Sequence, residues 1–289
     1  MASTQALKGR IRSVSNTKQI TKAMELVAAS KMRRAQEATK ASSPYTTAAT
    51  SLLSNLAGHV SVQTHPLFEQ RTVKSRLFIV IASDKGLAGA FNSNIIKLYA
   101  TELKADDTAG VANKTITVGR KAAQFAARLK DTEIVGSYQD TPDRPDGYEL
   151  RAILDTAKEL FISGEVDAVD VVYTDYVSSL TQQATMKRLF PAGIGYTPTA
   201  SEVKDVLYEP SPEEVLDGVV YRLVGAQLYQ ALLDSRASEH SMRMMAMRNA
   251  TDNASDLIDD LTLAMNKARQ GAITQELAEI SGGVEAMND

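Results

Sequence analysis

EEVLDGVVYRLVGAQLYQALLDSRASEHSMRMMAMRNATDNASDLIDDLTLAMNKARQG, residues 213–271, is the stretch whose reading decides the fold. From Glu213 to Asp289 there are 77 residues without a proline, and Ser211-Pro212 before them is a helix-start signal. At heptad spacing Leu216, Val219, Leu223, Ala226, Gln230, Leu233 and Ala237 form one stripe. Met247, Ala250, Ala254, Leu257, Leu261, Ala264 and Ala268 form a second, shifted one. A helix over 213–270 would be about 87 Å long at 1.5 Å per residue. A compact globule of this chain length has a radius of gyration of only about 19 Å. Such a helix projects from any body the chain has. The stripe is half alanine, which suits close approach of a second helix. The alternative, two or three ordinary bundle helices, is disfavoured because the interior glycines before Gly271 are Gly218 and Gly225, both near the start.

The other end of the chain supplies a partner. Thr4 to Ser43 is proline-free and rich in helix formers, with Ile11, Val14, Ile20, Met24, Val27 and Ala28 as its expected apolar side. Pro44 should kink this helix, yet Leu52, Leu53 and Leu56 at helical spacing carry it on to about Gly58. Two long helices leaving one body side by side run antiparallel. The register that sets residue 57 opposite residue 213 places Met24 beside Ala246. It leaves residues 271–289 beyond the partner's end, although Ile273, Leu277, Ile280 and Val284 make a helical apolar stripe there. Gly282 and Gly283 mark where that helix should begin to fail.

Composition narrows the function classes. The chain has 289 residues, 23% of them charged, a net charge of −3 and a pI of about 5.8, so it lacks a nucleic-acid signature. Residues 1–40 nevertheless carry nine Lys/Arg against Glu25 and Glu37, and residues 249–289 carry eight Asp/Glu against Lys267 and Arg269. Solvated helix faces account for most of this. The absence of cysteine excludes disulfides and thiolate chemistry. No run of 18 apolar residues and no signal-peptide pattern occurs, so the expectation is a soluble, intracellular protein that meets a membrane only through partners.

Between the helices strand and helix alternate. Strands are predicted over 76–83, 114–118, 132–135, 166–176 and 184–190, with helices over 93–105, 120–129 and 148–163. The segment 141–147 reads as a loop and 191–212 as the connection into the second long helix. The fold class is therefore α/β plus a long coiled coil, with a parallel or mixed sheet carrying helices on both faces. The expected domains are 1–60, 75–190 and 213–289, with 191–212 as the connection.

Candidate chemistry is sparse. SDKGLAGAFN (83–92) is a glycine loop between strand and helix, where phosphates often bind. It matches neither the P-loop nor GxGxxG, so a tight turn is the stronger reading for it and for Asp84 and Lys85. His59, His65 and His240 lack metal-ligand spacing. Met242, Met244, Met245 and Met247 suit either an adaptable protein surface or gap-filling in the seam. No catalytic, cofactor-binding or metal site is assigned.

Four stretches carry a resemblance: NTKQITKAMELVAASKMRRAQ (16–36), SDKGLAGAFNSN (83–94), EHSMRMMAMRNATDNASDLI (239–258) and NKARQGAITQELAEISGGVEAM (266–287). Together they resemble the gamma subunits of the rotary ATP synthase, from end to end of the chain. One departure is Gly283-Val284, where that family usually has Gly-Ala or Gly-Ser. The start at methionine without a transit peptide, and the lack of a cysteine-bearing insertion, fit a bacterial, thiol-independent member.

The resemblance implies a non-catalytic central rotor shaft without cofactor. Its partners would be three alpha and three beta subunits around the helices, with an epsilon subunit and a ring of c subunits at the α/β domain. It would act in ATP synthesis and hydrogen ion transport as a peripheral protein at the cytoplasmic face of a bacterial cell membrane. Carried over by motif, Lys18, Met24 and Arg33 would lie near acidic loops of beta. Arg248, Thr274, Gln275 and Glu276 would lie toward the catch and the upper bearing. Two rival classes are a nucleotide-using enzyme with phosphate at 83–92, and a coiled-coil tether that self-associates.

Overall fold

The computed structural model describes residues 4–57, 65–130, 132–142, 148–193 and 212–288. A long helix α1 (Thr4–Ala57) opens the chain and a longer one, α5 (Pro212–Asn288), closes it. Between them run β1 (Ser75–Ile81), α2 (Phe91–Ala109), β2 (Ala112–Val118), α3 (Arg120–Ala126), β3 (Thr132–Tyr138), α4 (Tyr148–Ile162), β4 (Ala168–Tyr176) and β5 (Gln182–Phe190). The predicted loop keeps only Thr141 and Pro142 among the described residues, and the predicted connection only residues 191–193 and 212.

The strands form one sheet in the order β3-β2-β1-β4-β5. β1 pairs in parallel with β2 and with β4, β2 in parallel with β3, and β5 closes the sheet antiparallel to β4. A parallel sheet must be covered on both faces, and β1 shows how. Leu77, Ile79 and Ile81 enter one core, and Phe78 and Val80 enter the other. The second core is closed by α2 and α3 through Phe91, Ile95, Tyr99 and Ala122. The first is closed by α4 and by the inner parts of both long helices, through Ala49 and Leu53 of α1 and Val220, Val224, Leu228 and Leu232 of α5.

Buried charge ties the sheet to α2. Asp170 accepts from Arg76 Nε at 2.6 Å and from Arg188 Nε at 2.6 Å, while Arg76 Nη1 reaches Asp106 at 3.1 Å. The Arg76 guanidinium also stacks 4.6 Å from the Phe78 ring.

Contacts divide the chain into two compact units. One comprises Met1–Ala28 with Arg243–Asp289; the other comprises Ala29–Met242. In the second unit α5 is a core helix, since every residue from Ala231 to Ser241 is buried. Thr174 N–H donates to Ser235 Oγ at 3.0 Å, and Arg236 Nη2 donates to the Thr141 carbonyl at 2.8 Å. Gly225 lets α4 approach closely, because a Cβ there would stand 3.3 Å from Leu154 Cδ2.

In the first unit the two helices are paired antiparallel. Thr251 Oγ1 donates to Thr21 Oγ1 at 2.8 Å, and this pair sets the register within two residues of the one expected. The seam itself differs from the sequence reading. Ile20 and Val27 are 60% and 57% exposed, and Leu257 is 47% exposed. A seam runs through Leu7, Ile11, Val14, Lys18, Thr21, Glu25 and Ala28 on α1, and through Met247, Thr251, Ala254, Ile258, Leu261, Met265 and Ala268 on α5, with Ser15, Met24, Ala250, Ser255, Thr262 and Asn266 half-buried beside it. Both sets alternate four, three, four, three. The error was one of phase. From Met247 a heptad can step first by three, to Ala250, or first by four, to Thr251, and the apolar residues alone favoured the wrong step. Polar Lys18, Thr21 and Thr251 keep the seam thin.

α1 runs on through Pro44 to Ala57, as expected; Pro44 is exposed, so the carbonyl it leaves without an amide partner lies where water can serve it. One boundary differs from expectation. α5 does not fail at Gly282-Gly283 but reaches Asn288, because glycine in a helix costs only about 1 kcal/mol and removes no hydrogen bond.

The phase of the seam is directly testable. Ile258→Ala should lower stability by about 1–2 kcal/mol in denaturant titration of the full chain, and Leu257→Ala by less than about 0.5 kcal/mol. The reverse order would restore the phase read from the apolar pattern.

Candidate partner interface

The surface of the first unit is assembled from what the seam leaves out. Because the seam takes Thr21 and Thr251 inward, it turns Ile20, Leu26 and Val27 of α1 and Leu257 and Leu263 of α5 outward, each between 47% and 71% exposed. Beyond Ala268 the burial stops altogether. Every residue from Arg269 to Ser281 is exposed, including Ile273, Leu277 and Ile280. Val284, the fourth member of the expected stripe, has a side chain outside the described residues.

The motif residues fall at separate places. Lys18 occupies a seam position and is half-buried, as is Met24. By the register of Thr21 and Thr251, Met24 stands level with Arg248, which is exposed. Thr274, Gln275 and Glu276 are all exposed about 40 Å further along α5 at 1.5 Å per residue. There Thr274 Oγ1 donates to the Gln270 carbonyl at 3.0 Å and Gln275 Nε2 to Glu279 Oε1 at 3.0 Å. Arg33 is exposed on the part of α1 that belongs to the second unit. The structure thus brings Met24 and Arg248 to one level and does not gather the seven into a single cluster.

Sequence reasoning missed Leu26 and Leu263 as surface residues and assigned Ile20, Val27 and Leu257 to the seam. The available signal was the seven-residue spacing Leu7, Val14, Thr21, Ala28, which continues only if threonine is allowed inside.

Charge on α1 is concentrated outward. Lys8, Arg10, Arg12, Lys22 and Arg33 are exposed, and Lys22 pairs with Glu25 at 3.0 Å. Exposed pairs of this kind contribute roughly 0–1 kcal/mol and weaken with salt.

The glycine loop is a self-satisfied turn. Ser83 N–H donates to Asn92 Oδ1 at 3.0 Å and Ser83 Oγ to the Lys85 carbonyl at 2.7 Å. Asp84 Oδ1 accepts from the backbone N–H of Arg120 at 3.0 Å and of Asp140 at 3.1 Å. The carboxylate thus already occupies two backbone N–H groups beyond the ends of β2 and β3 that an anion would otherwise use, and its charge repels a phosphate. Gly119 completes the packing: its φ is +93°, and a Cβ would lie 2.1 Å from the Ala82 carbonyl oxygen. Leu87 and Gly89 both take positive φ within the loop. His65 Nδ1 accepts from Leu67 N–H at the Pro66–Phe68 turn, and His59 lies outside the described residues. Among the described residues no group of three or more His, Asp or Glu gathers as metal ligands. No described helix is long and apolar enough to cross a membrane.

Where α5 crosses the sheet in the second unit, titratable side chains are buried. Asp234 is 6% exposed and accepts from Gln230 Nε2 at 2.9 Å. Burial pushes its carboxyl up to about 7, the nearby Asp175 charge adds to this, and the Gln230 bond and Lys187 oppose it. Burial in turn lowers Lys187 and raises Tyr173.

Comparison with known proteins bears on this surface. The sequence profile of a family described as ATP synthase matches residues 3–287. An ATP synthase gamma chain of Stenotrophomonas maltophilia (strain R551-3) is 41% identical over 288 residues, covering 99% of this chain and 100% of its own. One from Opitutus terrae is 40% identical over 295 residues, with 97% of each chain covered. Among solved structures, a chain from the central stalk and c-ring of Tetrahymena thermophila mitochondrial ATP synthase aligns with a TM-score of 0.61 at 25% identity, covering 80% of this chain and 99% of its own. A chain from the rotor of Euglena gracilis mitochondrial ATP synthase aligns with a TM-score of 0.66 at 16% identity over 93% of this chain and 98% of its own, a likeness of fold alone.

The buried carboxyl gives a pH prediction. Asp234 holds its proton in the folded chain up to about pH 7, whereas an unfolded aspartate loses it near 3.9, so the folded state binds the extra proton between those values. Stability should therefore fall as pH rises from about 4 to about 7. Asp234→Asn should flatten that slope and raise the melting temperature at pH 8, as followed by circular dichroism. An unchanged slope would remove Asp234 from the account.

Proposed function

We infer function from family: this chain belongs to the gamma chains of ATP synthase. It is a non-catalytic subunit, the central rotor shaft of the complex. The observation that carries the role is the uncovered apolar tip, with Ile273, Leu277 and Ile280 between 50% and 64% exposed on a helix that has lost its partner. Exposed stripes of this kind mark an interaction surface. Covering such a side chain is worth roughly 1.5–3 kcal/mol before ordering costs.

In this reading three alpha and three beta subunits surround the paired helices and supply the cover. Ile20, Leu26, Val27, Leu257 and Leu263 add apolar contact lower on the same pair. Lys18, Met24 and Arg33 meet acidic loops of beta. Arg248 meets the catch, and Thr274, Gln275 and Glu276 meet the upper bearing. An epsilon subunit and the c-ring bind the α/β domain at the cytoplasmic face of the membrane, and proton flow through the membrane sector turns ring and shaft together.

The mechanism follows from symmetry. Two helices with unlike sequences cannot present the same face in three directions, so a ring of three equivalent beta subunits touches three different surfaces. Each contact favours a different conformation of the beta subunit beside it, and turning the shaft passes each conformation to the next site. This is coupling through differential contacts, and it needs no chemistry from the shaft. The turn at 83–92 favours it over a nucleotide-using enzyme, because Asp84 takes the backbone N–H groups of Arg120 and Asp140 that a phosphate would need.

Deleting 271–289 tests the reading. The isolated chain should melt within about 2 °C of the intact one, because little at the tip is buried at home. Its co-assembly with alpha and beta subunits, followed by size-exclusion chromatography, should weaken at least tenfold. A large drop in the melting temperature of the isolated chain, or undiminished assembly, would overturn it.

A further inference from the structure

Asp234 lies where four elements of the second unit meet. Gln230, one turn earlier on α5, donates from Nε2 to Asp234 Oδ1 at 2.9 Å. Tyr173 and Asp175 of β4 and Lys187 of β5 face it from the sheet. Thr39 faces it from α1, its hydroxyl buried at the limit of hydrogen-bond reach. Burial raises the Tyr173 phenol, which stays neutral. The charges of the cluster are therefore those of Asp175, Lys187 and Asp234 itself.

One proton decides whether those charges balance. With Asp234 as the acid, the cluster holds one carboxylate and one ammonium. With Asp234 ionised, two carboxylates share that ammonium, and unmatched buried charge is costly. The hydrogen bonds change in the same direction. Gln230 Oε1 is buried and has no donor among the described residues. The acid form of Asp234 can supply one from its O–H, closing a two-bond ring with the amide, and the carboxylate cannot. α1 is the element least fixed against this change. α5 shares a core with the sheet through Ala231 and Leu232, and Ser235 Oγ accepts from Thr174 N–H. On α1, by contrast, Thr39 is the one buried residue from 29 to 45. Half-buried Met32, Ala35 and Ala38 and a bond from Gln36 Nε2 to the Tyr176 hydroxyl help to hold that stretch.

We propose that Asp234 is a proton-operated latch on α1: the acid form clamps the stretch around Thr39 onto α5 and the sheet, and loss of the proton loosens it. The latch acts within the second unit and does not rest on the rotor reading. It differs from a general loss of stability because the response is confined to one stretch of one helix, while the buried part of α5 stays in place.

The test is hydrogen–deuterium exchange of the purified full-length chain at about pH 6 and about pH 8, with labelling times scaled for the intrinsic pH dependence of amide exchange. Beyond that intrinsic change, exchange over 36–43 should rise by up to about tenfold and by no less than about fourfold. Linkage sets the upper figure, for a carboxyl that titrates at about 7 when clamped and about 3.9 when open. Amides of 231–241 should change less than about twofold. Asp234→Asn, which keeps the amide ring and carries no charge, should retain its pH 6 protection at pH 8. Asp175→Asn, which leaves Asp234 and Lys187 balanced, should cut the rise to less than about twofold. A rise that is absent from the unaltered chain, that persists in Asp234→Asn, or that spreads evenly over all amides would overturn the latch.

Discussion

Ala231 to Ser241 are buried on every side of α5, an unusual state for a stretch that contains Asp234, Arg236, Glu239 and His240. The rest of the second unit depends on this crossing. Leu228, Ala231 and Leu232 share a core with Leu77, Ile79 and Val171 of the sheet, so the helix cannot shift without opening that core. Polar groups fix its rotation as well as its depth. Ser235 and Ser238 bond to the two sides of the Thr174 peptide, and Ser241 Oγ donates to the Ser179 carbonyl at 2.7 Å. A buried charge is costly unless its partners are in place, so these contacts select one arrangement of helix on sheet.

That fixed crossing contrasts with the thin pairing in the first unit, where the buried hydrophobic residues are Leu7, Ala28, Met247 and Ala254 and the buried polar ones are Thr21 and Thr251. Burial of so few apolar groups offsets little of the entropy of ordering two helices. The same alternation that makes the seam thin sets Ile20, Val27 and Leu257 outside it. Weak pairing and outward apolar residues are therefore one fact seen from two sides, and both favour a pair of helices completed by subunits around it.

Much of this was legible in the sequence, and what was not has physical causes. The long helices, the alternation of strand and helix, the antiparallel register and the uncovered tip follow from proline placement and periodicity. The phase of the seam did not, because a seam that accepts Lys18, Thr21 and Thr251 cannot be found by joining apolar residues. The all-round burial of 231–241 was equally hidden, since only Leu233 and Ala237 of that stretch fall on the predicted stripe and its charged residues give no sign of a sheet lying against them. The loop at 83–92 was legible as a turn, but the role of Asp84 in joining two distant backbone amides required the topology. The low helical cost of Gly282-Gly283 was misjudged because glycine signals a stop only where a positive φ is needed.

As the central rotor shaft this chain should turn inside the complex, and a probe on its α/β domain should turn too. Since the chain has no cysteine, Lys104→Cys on the exposed face of α2 offers a unique attachment point for a visible probe. The variant would be assembled with alpha and beta subunits fixed to a surface, and the probe followed while ATP is hydrolysed. The account predicts rotation in one direction, halted when hydrolysis is blocked. Sustained hydrolysis beneath a firmly attached but stationary probe would contradict it.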